Sequence, residues 1–150
     1  MASEIERIMR LLEKTFDKQP WYGSSIMDVL DMDPAKATQR LTHGHSIIEL
    51  ILHMTTWRKF ATSRLQGDHS FEVSDEMNFP FTGTWEEAMS DLQKSQRTLM
   101  EAVKSFPEDR LCELVPSNTQ KYTYYTLLHG ILHHDIYHLG QIALLKKALN

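Results

Sequence analysis

The stretch TYYTLLHGILHHDIYHLGQIALLKKAL, residues 123–149, decides the fold. It is an uninterrupted helical pattern with no proline. At about 100° per residue, Leu127, Ile131, His134, His138, Ile142 and Leu145 fall on one face, with Gln141 beside them. Leu128, Leu132, Ile136, Leu139 and Ala143 form a second apolar row roughly opposite the first. A surface helix needs only one apolar stripe. The second row must therefore be covered, either by another part of the chain, such as the irregular segment 21–42, or by a second subunit across a twofold axis.

Working back from this helix, the same periodicity recurs three times. Ile5, Ile8, Leu12 and Phe16 mark a helix over about residues 3–18, ending before Pro20. Ser46-Ile-Ile-Glu49 is a capping box, in which the hydroxyl bonds the third amide and the carboxylate reaches back. It opens a helix that runs to about Leu65 and stops at Gly67-Asp68. Thr84-Trp-Glu-Glu87 is a second capping box, and Trp85, Ala88, Leu92, Leu99 and Val103 follow on one face to about Ser105. Between the first two long helices the pattern allows short helices at Ser25–Leu30 and from Asp33-Pro34, where Asp caps and Pro suits the first helical position. Residues 68–83 read as loop, and 113–122 as loop with some extended character. Four amphipathic helices without a strand pattern predict an all-α protein, a four-helix bundle in a single domain over 1–150. The long connections before the second and fourth helices predict crossover or decorated loops in place of tight turns.

The composition, 41% apolar and 24% charged, is that of an ordinary globular domain. With a formal charge of −4 and no cluster of Lys and Arg, the chain has little with which to bind phosphates, which argues against nucleic acid as a partner. No apolar run approaches the ~20 residues of a membrane span. The charged, periodic N-terminus does not read as a signal peptide, so a cytoplasmic location is expected. The single cysteine, Cys112, excludes an internal disulfide and a cysteine-rich zinc site, and reads as a small apolar residue near a helix end.

The unusual feature is eight histidines, four of them between positions 129 and 138. His134 and His138, four apart on one helical face, can turn their rings toward one ion. His53 stands in the same way within a core-facing stripe of the second long helix, beside Leu50, Trp57 and Phe60. One buried imidazole is usually satisfied by a hydrogen bond. Three on two core faces cost desolvation unless they find partners, and one metal ion satisfies all three. Three imidazoles leave an open position for water or substrate on a tetrahedral ion. Zn²⁺ is the default, and Ni²⁺, Cu²⁺ and Fe²⁺ also suit imidazole. Glu49, Tyr137 and Gln141 are the nearest candidates for assisting groups. Glu49 has a competing role in its capping box, and the alternative for Tyr137 is a packing ring whose hydroxyl reaches the surface. His129 and His133 form a separate pair, rotated away from the His134 and His138 stripe.

The stretches WYGSSIMDVL, HSIIELILHMTTWRKFATSRLQGD and HHDIYHLGQIALLKKAL, taken with the helix order, resemble the DinB/YfiT-like superfamily of metal-binding four-helix bundles. The single His on the second long helix, and the H-x-x-x-H followed by Gly-Gln on the last, are the most specific parts of the likeness. The resemblance implies a divalent metal, zinc or nickel above all, held by His53, His134 and His138. It also implies a homodimer. Many members carry a basic residue just after the final His, where this chain has Leu139. Some members look like S-transferases that use low-molecular-weight thiols such as bacillithiol, so a metal-dependent thiol transferase is the leading expectation. A metal-dependent hydrolase and a non-catalytic metal-binding stress-response module are the alternatives.

Overall fold

A computed structural model describes residues 1–80, 83–117 and 119–150; positions 81–82 and 118, within the two expected loops, lie outside them. Four long helices carry the fold: α1 (Glu4–Asp17), α4 (Ile47–Leu65), α6 (Trp85–Ser105) and α7 (Tyr124–Ala148). Short helices α2 (Ile26–Val29), α3 (Pro34–Ala37) and α5 (Asp75–Asn78) lie in the connections, and a 3-10 turn covers Glu108–Arg110. Both expected capping boxes form, at Ser46 with Glu49 and at Thr84 with Glu87, and Ser3 with Glu6 makes another on α1. Each satisfies amide groups that the first helical turn leaves without partners.

The helices pack in a ring, α4 against α6 and α7, and α1 against α6 and α7. Two successive pairs of long helices, α1 with α4 and α6 with α7, are thus diagonal neighbours, and their connections must cross an end of the bundle. This is why the connections are long. Among the described residues of the last connection, Leu114 and Thr123 form an antiparallel bridge, the Val115 amide donating to the Tyr122 carbonyl at 2.9 Å.

Along its length the core divides into two apolar halves. One gathers Ile5, Ile8, Leu12, Leu99, Val103 and Leu128, and the other Phe16, Ile48, Ile51, Met54, Leu92 and Ile142. Between them lies a polar layer that the apolar periodicity does not disclose. Arg58 of α4 and Asp135 of α7 are both fully buried and paired at 2.6 Å, and Arg58 also donates to Gln96 of α6. Burial pushes the Asp135 carboxyl upward, and the guanidinium opposes that shift.

On α7 both apolar rows contribute to the core: Leu128, Leu132 and Leu139 of the row expected to need a cover are buried, and so are Ile131, His138 and Ile142 of the histidine face, with Asp135 between. The chain itself covers Leu128, Leu132 and Leu139, while Ile136 and Ala143 of the same row are only partly buried, with α2 packed against α7. Cys112, expected near a helix end, follows the 3-10 turn and is exposed. Residues 75–78, read as loop, are helical because the Ser74 hydroxyl caps the Met77 amide.

Candidate metal centre

Helix α4 brings His53, and α7 brings His134 and His138, to one place. Their Nε2 atoms face one another: His134 lies 2.9 Å from His53 and 3.1 Å from His138. The other ring nitrogen of two of the three is already engaged. His53 Nδ1 donates to the Asn78 carbonyl oxygen, and His138 Nδ1 donates to Gln141 Oε1 at 2.6 Å. A proton committed at Nδ1 leaves Nε2 of a neutral imidazole with a lone pair. The Nε2 lone pairs of His53 and His138 therefore both point at His134 Nε2. A proton on that atom can be donated to only one of them.

A cation removes this conflict by accepting all three lone pairs. Zn–N bonds of 2.0–2.1 Å in a tetrahedral array set nitrogens about 3.3 Å apart, close to the two spacings observed. The hydrogen bonds to Asn78 and Gln141 are the kind of outer support that fixes ring orientation in histidine metal sites. The protonation states also suit a cation. Burial, then the neighbouring His138 and His53, then Arg58, hold His134 down to about 3. Burial likewise lowers His53 and His138, the Asn78 and Gln141 contacts opposing it. All three rings are thus neutral near pH 7, which is the ligating form.

Of the expected assisting groups, Gln141 bonds a triad ring directly. Tyr137 packs edge-on to His138 at 5.1 Å between centroids, but its side chain is exposed. Glu49 does not reach the triad. Its carboxylate takes the Ser46 amide and hydroxyl at 2.8 and 2.7 Å, the Arg40 guanidinium at 2.9 Å, and stands 3.5 Å from His45 Nδ1. Burial would raise its pKa, but these bonds prevail and hold it at about 2. The capping role is the one observed. His129 and His133 stay apart from the triad, His129 Nδ1 bonding the Tyr125 carbonyl at 2.9 Å.

Three contributors were not foreseen. Asn78, at the end of α5, holds His53 through its carbonyl and Trp57 Nε1 through its side chain at 3.0 Å. Phe79 is sandwiched face to face between His53 and His45, at centroid distances of 4.0 and 3.7 Å. Asp135 locks α7 against α4 through Arg58, next in sequence to His134. The Ser74-Asp-Glu-Met77 cap was the only sequence signal for α5, and a four-residue helix is too short to show periodicity.

Fold and site together define an all-α bundle with a three-histidine cluster between two of its helices. The family model of the DinB superfamily matches residues 24–142, a span that includes all three histidines and Gln141, and the chain belongs to that superfamily. No curated protein and no solved structure gives a significant match to the chain.

Proposed function

We propose that the protein binds one divalent metal ion, zinc or nickel, through His53, His134 and His138, and uses it as a metal-dependent enzyme of the thiol-dependent S-transferase type. The observation that carries the metal reading is the meeting of the three Nε2 atoms, two of them with their protons committed elsewhere. Bound there, the ion would lower the pKa of a thiol or water and so supply a nucleophile near neutral pH. The chain's own part is to hold the rings neutral and oriented, through Asn78 and Gln141, and to keep a fourth side free of protein ligands. The transferase reading is supported by that open ligand set and by family resemblance. Hydrolysis and non-catalytic metal storage use the same ligands.

Elemental analysis of protein purified without a histidine tag, followed by metal titration, tests the first part. About one equivalent is expected, and negligible uptake of zinc, nickel and manganese overturns it. Conjugation of low-molecular-weight thiols to a panel of electrophiles tests the second. Hydrolysis without thiol, or no turnover by the loaded protein, favours the alternatives. We also propose a homodimer. Tyr137 and Leu144, seven apart on α7 and both strongly exposed, support it. Sedimentation at micromolar concentration that returns a monomer refutes it.

A further inference from the structure

A cavity of about 390 Å³ opens beside the triad. His134 forms part of its wall, so a molecule in the cavity lies against the histidine centre. Trp57, Phe60, Leu127 and Ile131 supply apolar surface, and Arg64 and Tyr122 also line it.

Arg64 is the odd member of this lining. Its side chain is 1% exposed and its guanidinium lies over the Phe60 ring, 4.3 Å from the centroid. A buried cation normally has its donors fully engaged. Here one terminal nitrogen donates to the Asp68 carbonyl at 3.1 Å and the other to Glu72 at 2.7 Å, while the buried Nε–H has no acceptor among the described residues. Glu72 is a poor permanent partner. Its side chain is 72% exposed and it sits on the irregular segment before α5. An ion pair with one member in water contributes little. The second orphan is His134 Nδ1, also buried and without a partner, on the wall of the same cavity. Two side chains that line one cavity thus each carry a buried polar atom without a partner among the described residues.

From this lining we infer that the cavity is the substrate pocket of the histidine centre, and that it takes a small organic carboxylate. The carboxylate is held by Arg64 in place of Glu72, the apolar body lies on Trp57 and Phe60, and the other end is directed at His134. Arginine suits this task because its planar fork matches a carboxylate with two parallel bonds. The aromatic wall gives the body of the ligand a flat apolar surface. The inference rests on the metal-site reading only for what happens at the far end of the ligand; the carboxylate contact at Arg64 stands on its own.

The test uses phenylacetate and its neutral isostere phenylacetamide as probes, titrated by calorimetry into metal-free full-length protein, so that a carboxylate cannot simply ligate the ion. Phenylacetate is expected to bind at least about tenfold tighter than the amide, the worth of a charge-assisted bond. Arg64→Met should abolish that preference and leave metal uptake unchanged. Because Arg64 is buried, this variant can fail to fold, and Glu72→Gln, a surface change, then decides. Removing the exposed competitor should tighten phenylacetate severalfold and leave the amide unaffected. Equal binding of the two probes by the wild type, or a Glu72→Gln variant that binds phenylacetate no better, overturns the inference. Metal uptake is measured on the same samples. Loss of the carboxylate preference with one metal bound would refute the pocket alone, and a preserved preference with no metal uptake would refute the metal site alone.

Discussion

Replacing Asp135 with Asn tests what holds the two histidine-bearing helices in register. Asp135 and Arg58 are both fully buried, and the carboxylate accepts from Arg58 at 2.6 and 3.4 Å. The amide keeps the shape of the side chain but loses the charge, and it can turn an NH₂ toward the guanidinium. Arg58 then retains the Gln96 oxygen and its place over the Phe16 ring, 5.1 Å from the centroid. Breaking a buried pair from one side costs roughly 3–5 kcal/mol, most of it the penalty of an uncompensated charge. Against a total stability of about 5–15 kcal/mol, that is a large fraction. With a urea m-value of about 2 kcal/mol/M, the unfolding midpoint should fall by about 2 M. Replacing both partners, as Arg58→Met with Asp135→Leu, should cost no more than about 1–2 kcal/mol, because no charge is left stranded and only Gln96 loses a donor. Urea unfolding of metal-free protein followed by circular dichroism measures both. A single variant within about 1 kcal/mol of wild type would refute the reasoning, since it would mean that Arg58 finds water in a layer where the structure leaves none of its side chain exposed.

Two further outcomes are expected. His138→Ala should release the metal and abolish the stabilisation that added metal confers by mass action, while His129→Ala with His133→Ala should leave metal content near one equivalent; the reverse pattern by elemental analysis would place the site elsewhere. Glu49 should stabilise the fold in a pH-dependent way. Its pKa falls from 4.5 unfolded to about 2 folded, so as pH drops the unfolded chain takes up the proton first. The contribution is complete above about pH 4.5 and disappears as pH falls toward 2. A shift of that size corresponds to about 2–3 kcal/mol after allowing for solvent at the half-exposed Arg40. The stability difference between wild type and Glu49→Gln, measured from pH 7 to pH 3, should shrink across that window, and a difference independent of pH would contradict it.

The helices and the triad were legible in the chain because both depend on short-range regularities. Capping boxes at Ser46 and Thr84 and the apolar rows of α1, α4 and α6 act within a few residues. The spacing of His134 and His138 puts them on one face whatever the helix packs against, and His53 could be singled out because it interrupts an apolar row. How α7 shares its two rows with the core could not be read in the same way. Both rows are apolar, and how deeply each is buried depends on where the fully buried Arg58 of α4 meets Asp135. The partners that set the ring orientations come from different sequence distances: Gln141 lies one turn from His138, whereas Asn78 reaches His53 across 25 residues. The first is set by the helix itself. The second exists only because the bundle folds α5 over α4, just as only packing places Phe79 between His45 and His53 and leaves Arg64 at the wall of the cavity with an unanswered donor. Hydrogen bonds and ring contacts of this kind join residues whose separation in sequence carries no period, so their energies appear only when the helices have docked.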